Sequence, residues 1–249
     1  MLKRIVLSAL FVIVFGAALA VADQPYEELF DQTYAVSSTA AVSLENVNGD
    51  VSIEAWDRDE VWVRAVKRAS SPELLAKLEI EVTASTDSVE IDTDYQHTND
   101  HGHRSVEYTL MVPRQARIRD VELVNGDLTI SGVQGGVEAD CVNGEMVVRD
   151  VAGAIHLESV NGSIECATSS HLGESVSLSA VNGTIDLHLA PGTSAHVTAE
   201  TVNGRLSNDL GFEVRKGKYV GASMSGTIGG GGPTVELETV NGAIAVHGG

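Results

Sequence analysis

Between about residue 118 and the C-terminus, apolar and polar positions alternate in short bursts, and each burst breaks at the same tripeptide. Ahead of the break run "VEADC", "IHLES", "VSLSA", "VTAET" and "VELET"; after it run "DLTI", "EMVV", "SIEC", "TIDL", "RLSN" and "AIAV". Alternation with period two marks a strand with one buried face. The inward set before the break includes Ile155 and Leu157, Val176 and Leu178, and Val235 and Leu237. After the break it includes Leu128 and Ile130, Ile164 and Cys166, and Ile185 and Leu187. Each unit therefore reads strand, sharp turn, strand, glycine-containing turn.

The break is Val-Asn-Gly, at Val47-Asn48-Gly49, Val124-Asn125-Gly126, Val142-Asn143-Gly144, Val160-Asn161-Gly162, Val181-Asn182-Gly183, Val202-Asn203-Gly204 and Val240-Asn241-Gly242. From Val124 onward the breaks lie 18, 18, 21, 21 and 38 residues apart. The double-length gap holds a degenerate copy, Met224-Ser225-Gly226, which gives seven consecutive units and one earlier outlier at Val47. A repeat of this length points to a solenoid. Asn-Gly is also a strong hairpin signal, so an antiparallel β-meander or sandwich is the alternative. Two features favour parallel stacking. The residue before the valine is small (Cys141, Ser159, Ala180, Thr201, Thr239), as a tight interior corner requires. The asparagines also recur at one register, and rungs about 4.8 Å apart would align their amides into a hydrogen-bonded ladder. In this reading glycine supplies a positive φ, asparagine tolerates the left-handed region, and valine anchors the corner in the core. Seven rungs make a rod section about 30 Å long. The expected fold is all-β: a parallel, β-helix-like solenoid, right-handed, with one short helix.

That helix lies in a different N-terminal part. "DVSIEAWDRDEVWVRAVKRA" reads as two strands joined by a polar turn at Asp57 to Glu60. Ser71-Pro72-Glu73 starts a helix over about residues 72–78, with serine as N-cap and proline at the first helical position. "LEIEVTA" and "SVEIDTDY" make a further strand pair, and "SVEYTLMVP" one more strand. Residues 23–113 and the array over 114–249 have no Ser, Pro or Gly linker between them and are expected to share one core.

The order "NVNGDVSIEAWDRDEVWVRAVKRAS", a short helix, "VEYTLMVP" and then "VNGDLTISGV" resembles the bacterial putative-adhesin β-strand-repeat family over nearly the whole mature chain. The resemblance implies a β-solenoid in an exported or surface-associated domain. It implies adhesion more weakly than it implies shape, and it carries over no catalytic residues.

Residues 1–22 read as a signal peptide: Lys3 and Arg4, an apolar run from Ile5 to Ala18, then small residues suited to cleavage after Ala20 or Ala22. Export to the periplasm or cell surface follows, with no stable membrane span after cleavage. Loss of Lys3 and Arg4 takes the net charge from -19 to -21. Such an excess opposes nucleic acid and anionic lipid and favours cationic partners or weakly held divalent cations. The outward carboxylates Glu138, Asp140, Glu158, Glu165, Asp186, Glu200, Glu236 and Glu238 would form columns.

Candidate chemistry is sparse. "DTDYQHTNDHGH" places His97, His101 and His103 beside Asp92, Asp94 and Asp100, a set that could hold Zn²⁺, Cu²⁺ or Ni²⁺. Its spacing matches no closed zinc pattern, and a solvated loop is the plainer reading. Cys141 and Cys166 fall on inward positions in neighbouring units, either as a disulfide or as two inert core thiols. Parallel β-helices also include polysaccharide-active enzymes, but those need aromatic platforms and a basic group in a groove. The array holds one tyrosine, one phenylalanine and no tryptophan, and no Ser-His-Asp order or phosphate loop. The sequence thus supports a non-enzymatic exported module without a cofactor, binding a protein or glycan of the cell envelope as an adhesin-like domain. A periplasmic maintenance or signalling scaffold is the alternative.

Overall fold

The computed structural model describes residues 25–97, 102–169, 172–218 and 220–248. The expected signal peptide lies outside the described residues. The first strands are β1 (Tyr26–Ala35), β2 (Ala41–Asn48), β3 (Val51–Trp56) and β4 (Glu60–Ala69), then helix α1 (Pro72–Leu75), β5 (Leu78–Ala84), β6 (Ser88–Tyr95) and β7 (Arg104–Pro113). The array follows in pairs around each corner: β8 (Arg117–Asn125) and β9 (Leu128–Ser131), β10 (Val137–Asn143) and β11 (Met146–Val151), β12 (Ile155–Asn161) and β13 (Ile164–Thr168), β14 (Val176–Asn182) and β15 (Ile185–Leu189), β16 (Ala195–Asn203) and β17 (Leu206–Asn208). The chain ends with β18 (Val214–Lys216), β19 (Ala222–Ile228), β20 (Thr234–Asn241) and β21 (Ile244–Gly248).

Every Val-Asn-Gly corner carries the chain from one sheet to the other. Sheet A has the order β1-β4-β7-β3-β9-β11-β13-β15-β21-β17, and sheet B the order β18-β19-β16-β20-β14-β12-β10-β8-β2-β6-β5. From β7 to β17 in sheet A and from β6 to β16 in sheet B, neighbours are parallel. The fold is therefore the parallel solenoid and not the meander. One apolar core fills the space between the sheets from Val36 to Val246, shared by the N-terminal part and the array. Antiparallel strands lie at three of the four sheet ends, β4 and β1 on sheet A and β5 and β19–β18 on sheet B, while parallel β17 ends sheet A. They cover sheet edges that would otherwise be open to pairing.

Four expectations change. First, β3 and β4 are not paired, because β7 lies between them. Second, α1 stops at Leu75, since Leu78 already begins β5 and is buried; Ser71 Oγ does accept from the Leu74 N–H at 3.2 Å. Third, Ser225-Gly226 is no corner. These residues lie inside β19, which runs antiparallel to β16 and pairs Ser225 with Thr198. Fourth, the Val47 corner is no outlier, because Asn48 pairs directly with Asn125.

Rung order also departs from chain order. The C-terminal unit β20–β21 inserts between β14–β15 and β16–β17. The unit that precedes it in the chain thus forms the end of the stack. The residues explain why. In β21 the inward positions are Ile244 and Val246, both fully buried, whereas in β17 they are Leu206 and Asn208, both half-buried. Asn208 is satisfied at the end of the rod, where its side chain donates to Phe212 O at 3.1 Å and accepts from Phe212 N at 2.9 Å. Inside the stack it would be a buried polar group needing such partners.

Candidate functional site

The corners stack into an unbroken column in the order Asn48, Asn125, Asn143, Asn161, Asn182, Asn241, Asn203. Each asparagine Nδ2 donates to the Oδ1 of the one before it in that order, at 2.9–3.1 Å. The backbone answers in the opposite sense, with Gly144 N donating to Asn161 O at 3.2 Å and Gly162 N to Asn182 O at 3.1 Å. Tyr95 closes the first corner, its hydroxyl lying 2.9 Å from Asn48 O and 3.0 Å from Asn46 Oδ1.

The small residue before the valine has a second role that size alone did not reveal. Ser159 Oγ donates to Gly162 O, Thr201 Oγ1 to Gly242 O and Thr239 Oγ1 to Gly183 O, at 3.1–3.2 Å. These bonds satisfy carbonyls at the inner side of the corner. The glycines themselves are needed for space more than for φ. Gly49, Gly126 and Gly144 have positive φ, but Gly162, Gly183, Gly204 and Gly242 do not. A Cβ on Gly162 would lie 1.8 Å from Gly144 O, and one on Gly183 would lie 1.9 Å from Gly162 O. None of the corner asparagines adopts a positive φ.

The valines point outward, not into the core. Period-two alternation requires this: with Leu157 and Ser159 facing in, Glu158 and Val160 face out. Val47, Val124, Val142, Val160, Val181, Val240 and Val202 form a column on the outer face of sheet B, each 38–47% exposed. Alongside runs a column of carboxylates in register, Asp92, Glu45, Glu122, Asp140 and Glu158, continuing through Ser179 to Glu238 and Glu200. Desolvation, and then the charges of Asp92, Glu122 and Asp120, raise the pKa of Glu45. Desolvation followed by Glu158 does the same at Asp140. At the C-terminal end both columns run into a cleft of about 390 Å³ lined by Val181, Val202, Val240, Val220, Glu200 and Glu238.

The expected metal and thiol residues fall elsewhere. His97 and His103 are exposed, and His101 lies outside the described residues. Cys141 in sheet B and Cys166 in sheet A are buried free thiols, so no bridge joins them. Desolvation pushes their pKa values up to about 11 and about 12. Glu165 and Asp186 face out from sheet A, apart from the carboxylate column on sheet B. Among the described residues, one group offers three ligand atoms within 4.8 Å of one another: Asp186, His188 and His247. The sequence does carry its signal. His188 and His247 both sit five residues after a corner glycine, but the rung order that joins them is not written locally.

A family model described as Toastrack DUF4097 matches residues 36–247. The chain belongs to the Toastrack DUF4097 family. No curated protein matches it. Among solved structures, a putative cell adhesion protein from Clostridium sporogenes ATCC 15579 resembles this Toastrack chain with a TM-score of 0.54 at 14% identity, covering 91% of this chain and all (100%) of that one. A putative adhesin from Bacteroides fragilis NCTC 9343 has a TM-score of 0.43 at 13% identity, with coverage of 91% and 100%. The Clostridium sporogenes likeness shows a common fold. No helix among the described residues is long and apolar enough to cross a membrane.

Proposed function

We propose that this Toastrack chain is an exported, non-enzymatic binding module of the cell envelope, and that the outer face of sheet B is its docking surface. The observation that carries the reading is the valine column of seven rungs lying beside the carboxylate column, which is in register with it on six of them and holds Ser179 on the other. A contiguous exposed apolar stripe marks an interaction surface. The flanking carboxylates select a cationic partner and repel anionic ones. Together they fit an extended protein segment that alternates apolar and basic side chains. A glycan would instead call for aromatic platforms, and these columns are built of Val, Asp and Glu. The adhesin-like and periplasmic-scaffold forms of this reading share the same face and differ in where it is displayed.

Photo-crosslinking in intact cells tests the face. A benzophenone amino acid at Val142 or Val160 is expected to capture a discrete partner, while one at Thr129, on the outer face of sheet A, captures none. The Val160 adduct should also vanish when Glu158→Lys is added. Equal capture from both faces, or none from the valines, would remove this assignment. Protease shaving of intact cells then separates surface display from the periplasm.

A further inference from the structure

We propose that Asp186, His188 and His247 form a binding site for a divalent transition-metal ion, with Zn²⁺ as a fitting occupant, on the outer face of sheet A. Asp209 is its positioning residue. This site is remote from the sheet B surface and does not depend on the docking role given to that face.

The swapped rung order builds the site. His188 and His247 hold the same register in β15 and β21 and are direct cross-strand partners. Asp209 holds the matching position after Gly204, just beyond β17. Had the units stacked in chain order, the Asp209 rung would separate the two histidines. With β21 inserted, the imidazoles stack at 4.8 Å between centroids and 17° between planes. Asp186 lies two residues before His188, on the same outward face of β15. Its Oδ1 is 3.2 Å from His188 Nε2 and 3.4 Å from His247 Nε2.

The two carboxylate–imidazole separations suit coordination, and all three ligand atoms lie within 4.8 Å of one another. Metal–ligand distances of about 2.0–2.1 Å in a tetrahedron place neighbouring ligand atoms about 3.3 Å apart. Direct hydrogen bonding is a poorer account of the contacts. Asp186 Oδ1 is buried from solvent and, among the described residues, has no hydrogen-bond partner of acceptable geometry, despite two ring nitrogens within reach. An oxygen in that state is costly unless a cation satisfies it.

The surrounding residues complete the arrangement. His247 Nδ1 is 3.2 Å from Asp209 Oδ2, and Asp209 Oδ1 accepts from Gly248 N at 2.7 Å. A carboxylate on Nδ1 fixes the proton there and leaves Nε2 free as a ligand, the usual outer support of a metal-bound histidine. Two imidazoles and one carboxylate suit zinc, copper or nickel better than calcium, which takes oxygen ligands. Both histidines are half-exposed, which leaves the remaining coordination positions of a bound ion open to water. A bound ion would tie the β15 rung to the inserted β21 rung and, through Asp209, to the terminal β17 rung.

The test is calorimetric titration of the mature chain with Zn²⁺, prepared without a polyhistidine tag and carrying His97→Ala, His101→Ala and His103→Ala so that the polar loop contributes nothing. One ion per chain is expected. Adding His188→Ala and His247→Ala should abolish that binding, and Asp209→Asn should retain the stoichiometry while weakening affinity by about tenfold to a hundredfold. Melting curves without metal report whether each variant folds, and His188→Gln with His247→Gln serves as a second pair. A loop variant that takes up no Zn²⁺, or folded histidine variants that bind it as tightly as their parent, would overturn the site.

Discussion

Asn241 donates its side-chain amide to Asn182 across 2.9 Å, although 59 residues separate the two and Asn203 lies between them in the chain. One bond of the ladder thus records the insertion of the last unit into the stack. It also shows that the column of amides follows the order of the rungs and not the order of the sequence.

The ladder predicts unequal costs along its length. Within the amide column the Asn161 side chain donates to Asn143 and accepts from Asn182, whereas the terminal Asn203 side chain donates to Asn241 and has no further asparagine to accept from. Asn161→Ala should therefore destabilise by about 1–3 kcal/mol, and Asn203→Ala by about half as much. Urea denaturation measures both; equal losses would deny the column its cooperative role.

The corner glycines predict a contrast set by space. Gly162→Ala must displace the Gly144 carbonyl, which an ideal Cβ would approach to 1.8 Å. A loss of about 3 kcal/mol or more is expected. Gly173 has nothing within 4 Å of such a Cβ and no positive φ, so Gly173→Ala should be neutral or slightly stabilising. Thermal melting of the two variants checks the comparison.

Strand parity predicts which side chains hold the core. Leu157 is fully buried, while Val160 is 42% exposed. Leu157→Ala should cost about 2–5 kcal/mol, and Val160→Ala no more than about 0.5 kcal/mol. Chemical denaturation of both variants would expose a register error as a reversal of these values.

The thiols predict a pH response. Burial pushes Cys141 up to about 11 and Cys166 up to about 12. Both are therefore protonated and enclosed at pH 8 and should resist iodoacetamide until denaturant is added. The linkage has a definite sign. Because the folded values lie above the unfolded one, the thiols' contribution to stability is intact below about pH 8.5 and declines as pH rises toward the folded values. Denaturation midpoints of the parent and of Cys141→Ala between pH 8 and 10.5 should converge; a constant difference would contradict the shift at Cys141.

Alternation and the corner tripeptide were enough to read the parallel two-strand unit, because burial on one face leaves a period of two in any sequence. The same parity places Val160 outward, since it sits one position after the inward Ser159. Compositional intuition about a corner valine runs against that count. The rung order was not legible in the same way. The units at Asn182, Asn203 and Asn241 present nearly equivalent strands, and neighbour choice is decided by long-range packing. Only Asn208, a polar residue where other units place an apolar one, marks its rung as terminal. The Asp186, His188 and His247 cluster stayed hidden for that reason. Its members share a register, but they meet only through the insertion.

Disulfide trapping of the rung order tests the central claim most directly. Ser177 and Glu236 are cross-strand partners, and Glu236 in turn pairs with Thr198. Neighbouring parallel strands bring Cα atoms within disulfide range, and strands two apart do not. Ser177→Cys with Glu236→Cys should bridge within one chain under mild oxidation, as read by mass spectrometry of the digested protein. Ser177→Cys with Thr198→Cys should stay reduced. A bridge in the second pair and none in the first would mean that the units stack in chain order, and the ladder and the histidine site would both have to be redrawn.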